Sequence, residues 1–152
     1  MKDKPSEPER DVWLDWRGPF EFTVDGELTR GRGCVSKRPP AGSGIYLANG
    51  DQPLYGRGVL MYIGRTRRGF NHRLPEHEWL CSEWSVEIYA ATVDESLVED
   101  VERLLISVHS PLYNCSNVAE PPRLASPLRI FNIGRFWGLY PEVSSRHAWA
   151  NE

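Results

Sequence analysis

The chain has 152 residues, enough for one compact domain with its own core and too few for two comfortable ones. With 18 basic and 21 acidic side chains its formal charge is -3, which argues against a protein that coats nucleic acid indiscriminately. No apolar run approaches the roughly 18 residues that span a bilayer, and Met1–Arg10 is charged and Pro-containing where a signal peptide is apolar, so the expectation is a cytoplasmic protein with no membrane partner.

Residues 1–11 read as a solvated lead-in. Trp13 and Trp16 then precede FEFTVDGELT, where Phe20, Phe22 and Val24 alternate with polar residues and Asp25-Gly26 supplies a tight turn, predicting a hairpin. The segment KRPPAGSG at 37–44 predicts an exposed loop. Two short apolar runs, GIYLA at Gly44–Ala48 and VLMYIG at Val59–Gly64, flank a turn-rich stretch and predict an antiparallel hairpin with a long loop. From Asn71 to Trp84 helical signals are mixed, because Pro75 removes a backbone donor unless it lies in a first turn. SVEIYAAT, with Val86, Ile88 and Ala90 in alternation, predicts a third strand.

The strongest helix signal runs over Leu97–His109, from a Ser96…Glu99 capping pattern to a stop at Ser110-Pro111. Leu97, Val98, Val101, Leu104, Leu105 and Val108 share one arc, widened by Ile106. Glu102 lies at the flank of that arc, between Val98 and Ile106. A carboxylate placed there needs a partner, a metal ion or a water-filled cleft. Beyond Asn114, aromatic residues from Phe131 to Trp149 predict short strands or loops packed on the domain. The cysteines Cys34, Cys81 and Cys115 are far apart and form no CxxC pair, so neither a disulfide framework nor a structural zinc site is expected.

Charge is unevenly spread. From Arg57 to Arg73 there are five arginines and no acid, apart from which residues 83–120 carry one base and eight acids. The acids other than Glu102 are expected to lie away from a substrate that the arginines attract, giving one face a positive potential despite the overall sign.

In chain order the sequence offers Gly44-Ile45-Tyr46, Tyr62-Ile63-Gly64, Arg73 with His77 four residues on, Glu102 in its helix, and Pro111-Leu112-Tyr113-Asn114 just after it. This set resembles the GIY-YIG nuclease family over roughly Gly44 to Asn114. Fifteen residues separate Tyr46 from Tyr62, a longer loop than is usual in the family, at little cost in closure entropy. Pro75, between Arg73 and His77, is a second departure. Patterning and resemblance together imply an α+β fold. Its expected centre is a small three-stranded antiparallel or mixed sheet flanked by helices, with an N-terminal hairpin over 1–41, the nuclease core over 42–117 and a C-terminal extension over 118–152.

The resemblance implies a metal-dependent endonuclease acting on DNA, with Mg2+ or Mn2+ held by Glu102. One carboxylate suffices when waters and the substrate phosphate complete a magnesium shell. Arg73 offers a planar charged fork for a phosphate oxygen. Tyr46 is expected as general base, Tyr62 as the group orienting water or phosphate, His77 near the proton path, and Asn114 as a hydrogen-bonding brace. Arg65, Arg67 and Arg68 leave the second strand beside this site and are expected to guide a phosphate backbone. A single constellation cuts one strand, so double-strand cleavage implies a homodimer or two successive events. The competing expectation is a module that binds nucleic acid or protein without turnover. If the nuclease expectation holds, the six side chains gather in one pocket; a helix carboxylate on the far side of the sheet from the paired phenols would refute it, and a third expectation, an unrelated α+β domain with accidental tripeptides, has the six residues apart.

Overall fold

The computed structural model describes residues 7–20, 22–24, 27–29, 40–52, 54–69, 86–114 and 122–146. Among these, eight strands and one helix follow one another as β1 (Arg10–Phe20), β2 (Phe22–Val24), β3 (Glu27–Thr29), β4 (Gly44–Gln52), β5 (Gly56–Thr66), β6 (Val86–Thr92), α1 (Val98–His109), β7 (Leu128–Gly134) and β8 (Glu142–Ser144). Six strands form one curled sheet in the order β5-β4-β6-β1-β7-β8, while β2 and β3 pair separately as a small antiparallel ribbon.

This corrects the expected fold class. The hairpin β4–β5 and the third strand β6 form as predicted, with Tyr46 opposite Gly64 and opposite Ala90. They are half of a larger sheet, however, and strands dominate the described residues where flanking helices were expected. The difference comes from the two segments outside the motif. β1 inserts beside β6, antiparallel to it, and β7 pairs with β1 in parallel from Arg10↔Leu128 to Trp16↔Gly134. The stretch read in part as a solvated lead-in is an interior strand. Its charges Asp11, Asp15 and Arg17 are exposed, whereas Val12, Leu14 and Trp16 point the other way and are buried. Trp16 also donates its indole N–H to Asn132 Oδ1 on β7 at 2.8 Å, tying the pair together inside the core.

Strand alternation divides the apolar side chains into two clusters. Ile45, Leu47, Ile63, Tyr89 and Ala91 join Val12, Leu14, Trp16, Leu128 and Ile130 in the larger one, which includes the apolar arc of α1 at Val98, Val101, Leu104 and Leu105. Tyr46, Ala48, Ile88 and Ala90 form the smaller one with Phe20 and Met61, on the opposite face of the sheet. α1 ends as predicted. Ser110 takes a left-handed conformation at φ 44°, its N–H reaches the Ile106 carbonyl, and Pro111 prevents continuation. The capping box does not form: the Ser96 hydroxyl and N–H both donate to Asp94 Oδ1, and Leu97 occupies the N-cap. No described helix is long and apolar enough to cross a membrane.

Candidate active site

Strand β5 lies at the edge of the sheet, and its segment Tyr62–Arg65 is the place where distant parts of the motif meet. Tyr46 reaches it first. The β4–β5 register sets Tyr46 opposite Gly64, and the phenol lies across that glycine so closely that a Cβ there would overlap Tyr46 Cζ and Oη. Gly64 is glycine for this reason and not for its backbone angle. The register shifts between Ala48 and Asn49, so that Ala48 pairs with Tyr62 and Asn49 with Leu60. Before that shift the pairing is regular, and alternation alone puts Tyr62, opposite Ala48, with Tyr46 on the face away from α1, with ring centroids 6.0 Å apart. Tyr46 is fully buried; Tyr62 is half-buried.

Asn114 reaches the same segment from beyond α1. Its Oδ1 accepts the Ile63 N–H at 3.0 Å and its Nδ2 donates to the Ile63 carbonyl at 2.9 Å. Tyr113 N–H donates to the Met61 carbonyl at 2.8 Å. The chain after the helix thus runs along the open edge of β5 and supplies hydrogen bonds that a further strand would make.

Glu102 approaches from the helix. Its Oε1 accepts a hydrogen bond from Arg65 Nη1 at 2.8 Å, with the glutamate side chain 12% and the arginine 37% exposed. Arg65 follows Gly64 and has the same strand parity as Ile63, which places it on the helix side. The partner demanded by a carboxylate at the flank of the apolar arc is therefore an arginine expected to contact DNA. Arg67 likewise meets Glu99 at 3.1 Å, and Glu99 also engages Arg103 one helical turn on. The expected separation of the acids other than Glu102 from these arginines fails at Glu99, which pairs with Arg67. Arg68 is exposed. Near Arg67 an open cleft of about 830 Å3 is lined by Arg103 and Arg123 but also by Asp94, Glu95 and Asp100, and so carries both signs of charge.

Of the six residues expected to converge, Arg73 and His77 lie outside the described residues, as do the three cysteines. The other four meet around Tyr62–Arg65 but not on one face. Tyr46 and Tyr62 belong to the side away from the helix, Glu102 to the helix side, and Asn114 to the edge between them. The Glu102 carboxylate therefore lies on the far side of the sheet from the paired tyrosines, and among these four the single pocket that the nuclease expectation requires does not form.

Among the described residues no three His, Cys, Asp or Glu side chains come together, and the Glu102 carboxylate expected to hold a divalent cation is engaged by the Arg65 guanidinium.

Comparison of the chain with protein-family models, with curated proteins and with solved structures finds no match. The likeness to the GIY-YIG nucleases rests on the residues themselves.

Proposed function

We propose that the chain is a metal-dependent endonuclease that hydrolyses phosphodiester bonds in DNA, one strand per active site. The observation that carries this reading is the convergence on Tyr62–Arg65. Tyr46 packs on Gly64, Asn114 clasps Ile63 and Glu102 is bound to Arg65, so three motif segments spread over nearly 70 residues serve the same four.

In the proposed reaction a water oxygen bonds to phosphorus as the bond to the 3′ oxygen breaks. The products are a 5′-phosphate and a 3′-hydroxyl, the latter taking a proton. Tyr62 is the better placed general base, because Tyr46 is sealed over Gly64 while Tyr62 is half-exposed. The base role expected for Tyr46 thereby passes to Tyr62, and Tyr46 becomes the residue that sets its position. Mg2+ or Mn2+ bound at Glu102 would offset charge building on the phosphate oxygens. Arg65 would exchange Glu102 for a phosphate when DNA arrives, alongside Arg68. Arg73 and His77 keep the phosphate-binding and proton-path roles that the resemblance implies. We place this activity in the cytoplasm, with double-strand cleavage requiring two protomers or two events.

A second reading, a DNA-binding module without turnover, draws support from the Arg65–Glu102 pair, which neutralises the proposed metal ligand. Incubating the protein with supercoiled plasmid and Mg2+, beside Glu102→Ala and chelator controls, discriminates the two. Nicking that disappears in both controls is the expected result. Absence of cleavage across a broad panel of DNA and RNA favours the module.

A further inference from the structure

Where the loop after β7 folds over the β4–β5 hairpin, a cavity of about 340 Å3 opens among Asn49, Asp51, Arg57, Glu87 and Trp137. Its wall is the Trp137 indole, 66% exposed. A large aromatic left in water is usually free to fold down, but this one is tied from several sides. Its carbonyl accepts from Asn49 Nδ2 at 3.1 Å, and beside it the Tyr89 hydroxyl donates to Glu87 Oε2 at 2.6 Å. Further along the loop, Tyr140 N–H donates to His109 Nε2 at 2.9 Å and the Tyr140 carbonyl accepts from Asn132 Nδ2 at 2.8 Å. Gly138, at φ +80°, lets the loop turn against Leu60, where a Cβ would lie 3.0 Å from Leu60 Cβ. The result is a preorganised flat surface, and preorganisation reduces the ordering entropy lost on binding.

The polar groups around it are biased toward accepting. The Trp137 carbonyl can only accept, so the Asn49 atom facing it is the nitrogen, and the amide orientation is fixed. Asn49 is 2% exposed, and its Oδ1 has no hydrogen-bond partner. A buried acceptor left unmade is costly, and this oxygen is closed to solvent and out of a ligand's direct reach, so it only adds to the negative side of the wall. Asp51 and Glu87 add two carboxylates, and Arg57 is the single cationic donor. The matching ligand is planar, presents adjacent N–H donors, and offers an acceptor to one guanidinium. Guanine presents N1–H and N2–H2 beside O6; cytosine, adenine and thymine each have one donor group on that edge.

We propose that this cavity binds a guanine base, stacked on Trp137 with its N–H edge toward the carboxylates of Asp51 and Glu87 and its O6 toward Arg57. That the guanine belongs to DNA rests on the nuclease reading. Asn49 follows Tyr46 by three residues on β4, about 10 Å at strand rise. Entry into a cavity requires that the base be unstacked from its duplex or come from a single strand.

The test is calorimetric titration of the full chain, without divalent metal, with 2′-deoxyguanosine 5′-monophosphate and the other three mononucleotides. Saturable binding of the guanine nucleotide, at least about tenfold tighter than the others, is expected, since one well-made pair of base contacts discriminates by that much. Trp137→Ala should abolish it. Arg57→Ala, at an exposed position, should weaken it about tenfold with no change in the urea midpoint. Equal affinity for the four nucleotides, no saturation, or indifference to Arg57→Ala overturns the proposal. Because no cleavage is read, guanine binding without plasmid nicking refutes the nuclease alone, and nicking without guanine binding refutes this site alone.

Discussion

Alanine at Gly64 should test how the two tyrosines are held. The added methyl would overlap Tyr46 Cζ and Oη and lie 2.7 Å from Cε2. Two ring carbons are involved besides the hydroxyl oxygen, so loss of the hydroxyl alone would not relieve the clash. The ring has no exposed side toward which to move, since Tyr46 is fully buried among Phe20, Ala48, Ile88 and Ala90. Overpacking of this kind costs about 1–3 kcal/mol. In a chain of this length each kcal/mol lowers Tm by about 2–4 °C, so Gly64→Ala should melt roughly 2–12 °C below the parent. Tyr46→Leu removes the atoms that collide, and in the Gly64→Ala background it should cost at least about 1 kcal/mol less than in the parent. Urea denaturation of the parent, both single variants and the double variant completes the cycle. Additivity within about 0.5 kcal/mol would refute the contact, as would a Gly64→Ala protein as stable as the parent. Plasmid nicking should fall in Gly64→Ala, because displacement of Tyr46 moves Tyr62, whose ring is 6.0 Å away.

Glu102→Gln keeps the shape of the side chain and removes its charge; single-turnover cleavage should drop at least about 100-fold while DNA affinity by fluorescence anisotropy changes little, the signature of a group acting in the chemical step. Asn114→Ala deletes both hydrogen bonds to Ile63 and should cost about 2 kcal/mol in urea denaturation, at about 1 kcal/mol for each bond. His109 donates from Nδ1 to the Leu105 carbonyl and accepts the Tyr140 N–H at Nε2, and burial holds its imidazole below the ordinary value of 6.5. The folded state therefore resists a proton that the unfolded state takes up, so this contribution to stability is complete above pH 6.5 and is lost as pH falls toward the folded value. The urea midpoint should be lower at pH 5.5 than at pH 7, and His109→Gln should reduce that difference.

The hairpin, the third strand and α1 were legible because each carries its own periodicity within a dozen residues. Glu102 was legible in another way, since its position at the flank of the apolar arc required a partner. That the partner would be Arg65 depended on knowing which way the edge strand faced. The faces were hard to read because Ile45, Tyr46, Leu47 and Ala48 are apolar in succession and show no alternation, as expected of a strand buried on both sides. For that reason the tyrosines and the glutamate were assigned one pocket, where the four described site residues straddle β5. The larger sheet was obscured by distance. β1 does alternate at Val12, Leu14 and Trp16, but its parallel partner begins more than a hundred residues later, and no local pattern announces such a pairing. The failed capping box has a similar cause, because Asp94 competes locally for the hydroxyl and N–H of Ser96.

A site that straddles an edge strand limits how a substrate can reach it. On the proposed nuclease reading the scissile phosphate would meet the rim of β5 near Gly64, where the absence of a side chain leaves room for the Tyr46 ring on one side. On the other side the guanidinium of Arg65 already neutralises Glu102 at 2.8 Å. A divalent cation and that guanidinium compete for one carboxylate, whereas phosphate and carboxylate compete for one guanidinium. DNA that draws Arg65 away would therefore strengthen the metal site, and the metal would in turn release Arg65 for DNA. Such coupling is reciprocal. Arg65→Ala separates its two halves: without DNA, Mn2+ affinity measured by calorimetry should rise about three- to tenfold, the equivalent of roughly 0.7–1.4 kcal/mol. DNA affinity should fall, and the parent's gain in Mn2+ affinity on adding uncleavable DNA should shrink. If Mn2+ binds the variant and the parent alike, Arg65 does not gate Glu102, and its ion pair is only a packing contact between the helix and the edge strand.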